Sequence, residues 1–278
     1  MTKPIAVSCP VSLNASSASL NCKKLTLKLA PGPDSWKVKL ILEELQAFYI
    51  IESFKFDEMK NPPFININPN GRAPAIVDPN TNLTLWGSGA IIQYLIEVYD
   101  TEKKLTYNHT QRASPTQPVP PLPDERARPV LRPSRMVDIT PYFADCSTSS
   151  TPGEDPLRHR PICRRSRRTL GVLNTVLEGR TWLVGEKITF ADLVFVPWNG
   201  RLDYLLPEED YLATYPNVKA WQQRIEKRPS WKECIELRDR LMDEQGLQPN
   251  GIPEGVSDIK DYEELIAKNA EEQRRLQE

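Results

Sequence analysis

The chain has 278 residues with 36 basic and 37 acidic side chains, which gives a formal net charge of -1. A charge so close to zero provides no electrostatic attraction to nucleic acid or to an acidic membrane surface. No apolar stretch approaches the roughly 20 residues that a membrane-spanning helix needs. The length is sufficient for two modest domains. We therefore expect a soluble, cytoplasmic protein without a nucleic-acid or membrane partner.

The N-terminus and the cysteines carry no sign of secretion or of a metal. Residues 1–24 are rich in serine and lack the apolar core of a secretory signal, so we expect them to be disordered. The 5 cysteines have unrelated spacings. Such spacings predict neither a disulfide framework nor a metal site.

The first domain is predicted to cover residues 25–106 and to alternate strands with helices. The predicted elements in chain order are a strand at 25–29, a turn at 30–35 that caps a helix at 36–45, a strand at 48–56, a hairpin of 74–77 with 84–86, and a helix at 90–98. The strands show apolar alternation and the helices show apolar residues at helical spacing. This order predicts a small α/β domain with a mixed sheet.

Pro74 lies between a turn at 70–72 and the first strand of the predicted hairpin. A proline in this position is able to hold a cis peptide bond, which is costly for other residues. A cis bond would turn the N–H and C=O of Ala73 outward, where an extended peptide pairs as an added strand. Ser88 opens the next helix, where its hydroxyl and the free N–H groups are suited to a carboxylate. Together they predict a site for a small acidic peptide.

The residues around Pro74 resemble the glutathione-binding half of glutathione transferases, in particular the fungal branch related to the yeast nitrogen-catabolite regulator. The resemblance covers residues 25–105 and 170–237, with the segments GPDSWKVKLILEEL, SFKFDEMKNPPFININPNGRAPAI, LEGRTWLVGEKITFADLVFVPW and YPNVKAWQQRIEKRPSW. It implies a thioredoxin-like N-terminal domain followed by a helical C-terminal domain. It also implies a homodimer, with glutathione as the co-substrate and a small electrophile as the second substrate.

The resemblance assigns site residues to this chain. The implied catalytic positions are Asp34 and Ser35, and the implied glutathione-binding positions are Ala73, Pro74, Gly87 and Ser88. Transferases of this family lower the pKa of the glutathione thiol, because the thiolate is the nucleophile. A donor near the start of the first helix stabilises that thiolate. Arg72, beside the peptide edge, is predicted to be a surface residue.

Two of these positions depart from the family pattern. Asp34 replaces an asparagine that donates to sulfur, and an ionised aspartate only accepts hydrogen bonds and would repel a thiolate. Ser35 would then take over as donor, or both residues merely cap the helix. Gly87 replaces an acidic residue that pairs with the γ-glutamyl amino group. Losing such a partner costs about 1.5–3 kcal/mol, or roughly ten- to a hundredfold in affinity.

Two functions follow from these observations. Pro74 and Ser88 favour a transferase that conjugates glutathione to small electrophiles, in detoxification or in the modification of a fungal secondary metabolite. Asp34 and Gly87 favour a catalytically weak or inactive binding or regulatory protein of the same fold. We predict the transferase and keep the binding protein as the alternative.

Residues 107–168 form a segment of different composition. Residues 111–168 hold 11 of the 26 prolines, which forbid a long helix where the family has two. An Arg/Pro-rich insert that docks SH3-like partners or an anionic surface is one interpretation. The other is an out-of-frame translation. When residues 117–136 and those from 151 onward are back-translated and the reading frame is shifted by one base, allowed codons spell the family-like NQYLHFQMSGPGPYFGQAAW and HPEKIPSAIDRYADEV. We predict an out-of-frame, irregular segment at 111–168, which the coding DNA tests.

The second domain is predicted to be helical over residues 169–240. Apolar periodicity predicts helices at 170–177 and 218–227. Thr189 and Asp192 have the spacing of a capping box, which we interpret as structural rather than chemical. Residues 241–278 are predicted to form a tail that contains a charged helix at 258–278.

Overall fold

The computed structural model describes residues 23–55, 58–107, 156–202 and 210–248, together with Glu254, Lys268 and Arg275. Within these ranges the side chains are described except at 156–165, 211 and 212. The predicted disordered N-terminus lies outside the described residues except for its last two lysines. The predicted C-terminal charged helix lies outside them except for Lys268 and Arg275, and residues 111–155 lie outside them entirely.

The first domain is a four-stranded mixed sheet with two helices. Its elements are β1 (Leu25–Leu29), α1 (Pro33–Glu44), β2 (Tyr49–Ser53), β3 (Ala75–Asp78), β4 (Leu83–Trp86) and α2 (Ser88–Tyr99), with short 3-10 turns at Glu58–Lys60 and Phe64–Asn66. The strand order is β2-β1-β3-β4, with β1 and β2 parallel and the other two pairs antiparallel. This topology confirms the predicted thioredoxin-like domain.

The second domain is helical, as predicted. Its elements are α3 (Pro156–Val176), α4 (Phe190–Leu193), α5 (Val196–Asn199), α6 (Tyr211–Thr214), α7 (Pro216–Glu226) and α8 (Pro229–Glu244). Helix α1 of the first domain packs against α2 and also against α4, α5 and α8 of the second domain. Contacts on both sides explain why even Lys37 and Lys39 of α1 are only 4% and 1% exposed. Helix α1 is therefore one of the elements through which the two domains meet.

The prediction of an irregular backbone at 111–168 is wrong for residues 156–168, which form the first part of α3. The dense prolines lie further towards the N-terminus, whereas this stretch is rich in arginine, a good helix former. Pro156 stands at the first helical position, where a missing N–H costs nothing.

Several predicted boundaries also shift. Helix α1 begins at Pro33 rather than at residue 36, and β2 ends at Ser53 rather than at residue 56. Helix α2 begins at Ser88 instead of residue 90. The helix predicted at 218–227 begins at Pro216, and Pro229 begins α8, because proline favours the first turn of a helix.

The capping box of α4 is confirmed, and its acid is a buried centre of hydrogen bonds. The carboxylate of Asp192 is 0% exposed and accepts hydrogen bonds from the N–H and hydroxyl of Thr189. It also accepts from the N–H of Leu183 and from Nε1 of Trp221, both at 2.9 Å. Burial raises the pKa of Asp192, although these donors act in the opposite direction. Asp192 therefore stabilises the second domain.

Candidate functional site

The structure brings three chain segments together: the first turn of α1, residues 73–74 before β3, and the first turn of α2. The N–H of Gly87 donates to the carbonyl oxygen of Pro74 at 3.2 Å. The hydroxyl oxygen of Ser88 lies 3.5 Å from Oδ1 of Asp34, at the outer limit of a hydrogen bond. Four of the six residues named from the sequence are thus linked to one another.

The peptide edge has the geometry that the sequence suggested. The Ala73–Pro74 bond is cis, and Pro74 is buried while Ala73 is partly exposed. Among the described residues, none is hydrogen-bonded to the N–H or C=O of Ala73. The side chain of Asn68 fixes the preceding turn by donating to the carbonyl oxygen of Arg72 at 2.5 Å. Both backbone groups of Ala73 are therefore without a partner among the described residues, and Arg72 is exposed as predicted.

The start of α2 is open where the family has an acidic side chain. Gly87 is the N-cap, with φ at 86°, a region that favours glycine. A Cβ built there would have no heavy atom within 4 Å. Ser88 follows as the first helical residue and is 4% exposed. The N–H groups of Ser88 and Gly89 make no hydrogen bond within the described part of the chain, as is usual for a first helical turn.

The carboxylate of Asp34, in the first turn of α1, contacts side chains from three helices. Oδ1 accepts a hydrogen bond from Nζ of Lys37 at 2.7 Å and one from Nε1 of Trp198 at 3.3 Å, in addition to its contact with Ser88. No described residue donates to Oδ2, and the Asp34 side chain is 26% exposed. One oxygen is therefore held by the protein while the other remains available.

Lys37 changes the electrostatics that the sequence suggested for this position. Burial lowers the pKa of Lys37, and the charge and hydrogen bond of Asp34 oppose that shift. The ammonium group also lies 5.7 Å from the centre of the Trp198 ring. The expectation that Asp34 would repel a thiolate considered its charge alone, whereas a cation stands 2.7 Å away.

Neither residue that was expected to cap α1 does so. The N-cap is Gly32, no side chain caps this helix end, and Asp34 and Ser35 lie inside the first turn. The alternative of helix capping is therefore wrong, because α1 starts earlier than its apolar repeat. Ser35 is 2% exposed, so its hydroxyl does not face solvent. The backbone N–H of Asp34 makes no hydrogen bond to a described residue and points along the positive end of the helix.

Lys37 and Trp198 are the site residues that the sequence analysis missed. Lys37 stands three residues after Asp34 on the same helix, and oppositely charged residues at that spacing meet on one face. That spacing was a usable signal. Trp198 is 164 residues away from Asp34 in the chain, and no local pattern links the two.

The described part of the chain offers no candidate for metal or membrane chemistry. Within it, no group of three His, Cys, Asp or Glu side chains is placed to hold a metal ion. None of its helices combines the length and the apolar character required to cross a membrane.

The fold is that of a two-domain protein in which a thioredoxin-like domain carries the cis Ala73–Pro74 bond and a helical domain contacts Asp34 through Trp198. The family model described as glutathione S-transferase, N-terminal domain, matches residues 32–98. The model described as glutathione S-transferase, C-terminal domain, matches residues 163–229. The chain belongs to the glutathione S-transferase family.

Similar proteins point to the fungal branch of that family. The glutathione S-transferase-like protein OpS6 of Beauveria bassiana is 36% identical over 212 residues, which cover 76% of this chain and 93% of OpS6. The crystal structure of the transferase URE2P8 from Phanerochaete chrysosporium with oxidized glutathione has a TM-score of 0.66 at 30% identity, covering 81% of this chain and 99% of that one. Protein URE2 of Kluyveromyces marxianus is 27% identical, covering 72% of this chain and 56% of URE2.

Proposed function

We propose that this chain binds glutathione and conjugates it, through its thiol sulfur, to small electrophiles. The observation that carries the proposal is the convergence of three groups of unpaired backbone donors and acceptors: those of Ala73, of the first turn of α2, and of Asp34. Glutathione is an acidic peptide, so it requires a strand partner, a carboxylate site and a donor for its sulfur. Each of these requirements has a matching group here.

In the proposed binding mode, the cysteinyl residue of glutathione pairs with the N–H and C=O of Ala73 as a short added strand. The γ-glutamyl carboxylate accepts hydrogen bonds from the hydroxyl of Ser88 and from the free N–H groups of Ser88 and Gly89. The positive end of the α2 dipole favours a negative charge at this position. Pro74 supports the edge, since its carbonyl oxygen is bonded to Gly87 at 3.2 Å.

The chemical step requires a thiolate, and a free thiol with a pKa near about 8.5 is mostly protonated at neutral pH. We assign the donor for the sulfur to the backbone N–H of Asp34, at the positive end of α1. The buried hydroxyl of Ser35 is a weaker candidate, because it is only 2% exposed. The thiol proton leaves to solvent, the sulfur forms a thioether bond with the electrophilic carbon, and a leaving group such as chloride departs with its electron pair.

The test is retention on immobilised glutathione, followed by conjugation of 1-chloro-2,4-dinitrobenzene. We expect retention and turnover for the wild type. Ser88→Ala removes a hydrogen bond to a charged group, so we expect its affinity for glutathione to fall about tenfold. Thr84→Ala is the matched control, because this exposed hydroxyl lies on β4 of the same hairpin. Absence of both retention and turnover in the wild type would overturn the proposal.

The second candidate is a glutathione-binding or regulatory protein with little or no turnover. The ion pair of Asp34 with Lys37 and the missing acid at Gly87 favour it, as does the similarity to URE2. Retention on immobilised glutathione without conjugation of the aryl chloride would support this candidate over the transferase. Both candidates share the binding mode described above.

Three further parts of the proposal come from the family. A homodimer is expected, and sedimentation velocity at micromolar concentration tests it. A cytoplasmic location is expected, and microscopy of a fluorescent fusion tests it. The electrophile is expected to be a small toxic compound or a secondary metabolite, and a panel of aryl halides, epoxides and peroxides tests the class.

A further inference from the structure

The starting point is the shape of the ligand that the proposed function assigns to this site. The γ-glutamyl end of glutathione carries a carboxylate and an ammonium group on one carbon atom. A protein that binds both groups needs an anion site and an acidic oxygen close together. The hydroxyl of Ser88 and the carboxylate of Asp34 meet this requirement, because Oγ and Oδ1 lie 3.5 Å apart.

The carboxylate of Asp34 is arranged as an acceptor with free capacity. Lys37 and Trp198 hold Oδ1, at 2.7 Å and 3.3 Å, whereas no described residue donates to Oδ2. The side chain is 26% exposed, so a ligand has access to it. An ionised carboxylate offers about four acceptor positions, and an ammonium group offers three donors. Oδ2 is therefore suited to an ammonium group bound beside Ser88.

Residue 87 lacks the acidic side chain for which Asp34 would substitute. The family places an acidic side chain at this position, and here the position has none. A Cβ at Gly87 would meet no heavy atom within 4 Å, so the volume beside Ser88 is open. The chain thus lacks an acid at residue 87 and has one at Asp34, whose Oδ1 lies 3.5 Å from the hydroxyl oxygen of Ser88.

We propose that Asp34 binds the α-ammonium group of the γ-glutamyl residue and takes over the role of the acid that is missing at residue 87. The proposal rests on the proposed function, because it assumes that glutathione occupies the site. The two departures from the family pattern then compensate each other. The side chain of Asp34 determines recognition of the γ-glutamyl end, and its backbone N–H is left for the sulfur.

The experiment compares two ligands on the full chain: reduced glutathione, and its analogue without the α-amino group, glutaryl-cysteinyl-glycine. Dissociation constants are measured by isothermal titration calorimetry for the wild type and for Asp34→Asn. We expect the wild type to prefer glutathione by about ten- to a hundredfold, the usual value of a charge-assisted partner. We expect Asp34→Asn to lose this preference while its affinity for the analogue changes less than about twofold. Glu52→Gln is the matched control, because it removes a carboxylate from an ion pair with Lys28 between β1 and β2.

Two further variants keep the test decisive. Asp34→Asn leaves the buried ammonium of Lys37 without its carboxylate, so Asp34→Asn/Lys37→Met is measured beside it. Gly87→Glu in the Asp34→Asn background returns an acid next to Ser88, at the cost of some backbone strain because φ at residue 87 is 86°. We expect it to restore part of the preference for glutathione.

The possible failures are distinct. The role of Asp34 is overturned, and glutathione binding stands, if the wild type binds both ligands equally. The same holds if Asp34→Asn keeps the preference for glutathione, loses affinity for both ligands alike, or gains affinity for glutathione. If the wild type binds neither ligand, this proposal and the proposed function are overturned together.

Discussion

The two ends of α1 join the same two domains in different ways. At the C-terminal end, Glu44 of the first domain accepts hydrogen bonds from Nε and Nη2 of Arg228 at 2.6 and 2.7 Å, and a third from Ser230. At the N-terminal end, Nε1 of Trp198 in the second domain donates a hydrogen bond to Oδ1 of Asp34 at 3.3 Å. Bidentate hydrogen bonds between an arginine and a carboxylate are stronger than a single hydrogen bond from an uncharged donor.

The Glu44 contact is suited to holding the two domains together, whereas the Asp34 contact is suited to binding a ligand. The Glu44 side chain is 9% exposed and both of its carboxylate oxygens accept hydrogen bonds. The Asp34 side chain is 26% exposed and has an unused oxygen. The C-terminal end therefore helps to hold the domains together, whereas the N-terminal end keeps a carboxylate oxygen to which no described residue donates.

The largest expected effect comes from Asp192→Ala. This substitution removes a buried hydrogen-bond acceptor in α4, the helix before the one that carries Trp198. The substitution leaves buried donors of Leu183, Thr189 and Trp221 without an acceptor. We expect the free energy of unfolding to fall by about 3 kcal/mol or more, measured by urea denaturation. Asp243→Ala, at an exposed position of α8, is the control and should change it by less than about 0.5 kcal/mol. Equal effects of the two variants would contradict the role of Asp192.

Glu44→Ala tests the C-terminal end of α1 directly. It removes the acceptor of Arg228 and Ser230, so we expect a loss of about 1–2 kcal/mol in the free energy of unfolding, discounted for the partly exposed Arg228. Glutathione affinity of the folded protein should stay within about twofold. Arg228→Lys keeps the charge without the two-pronged geometry and should give a smaller loss. A large loss of glutathione affinity in Glu44→Ala would show that the two ends are not separate.

Cys234 of α8 lies beside Lys39 of α1, and the pH dependence of stability tests this contact. The thiol is 1% exposed against α1, and burial raises its pKa to about 12, with Lys39 acting against this shift. The unfolded thiol ionises near pH 9 and the folded thiol does not, so its contribution to stability is full below that pH and is lost as pH rises towards 12. Between pH 9 and pH 10 the wild type should lose about 1 kcal/mol more than Cys234→Ala. Parallel pH profiles of the two proteins would contradict the shift.

Trp198→Phe tests the N-terminal end and should have the smallest effect on stability. It removes one long hydrogen bond, of 3.3 Å, to a partly exposed carboxylate and keeps an aromatic ring, so we expect a loss of about 0.5–1 kcal/mol after the discount for solvent screening. Affinity for glutathione should fall a few-fold, because Asp34 loses one of the donors that orient it. Trp182→Phe in the same domain is the control for the loss of an indole. If Trp198→Phe destabilises the protein as much as Glu44→Ala, the distinction between the two ends fails.

Several features were predictable because short segments encode them. The turn before Pro74, the alternation in β1 and the capping box of Thr189 with Asp192 are local patterns, and each is present in the structure. The start of α1 was less accessible, because its first turn contains no apolar repeat and begins with Pro33. The helix at 156–168 was missed because the arginine-rich stretch follows a dense run of prolines.

The sequence by itself determined the family, the order of elements and the backbone groups at Ala73 and Ser88, because these depend on residues close together in the chain. Only the tertiary structure decided the surroundings of Asp34. Its partners come from α1, α2 and α5, and the most distant is 164 residues away. The charge balance of a site depends on which side chains lie within a few ångströms, and the packing of α1 between the two domains sets those distances.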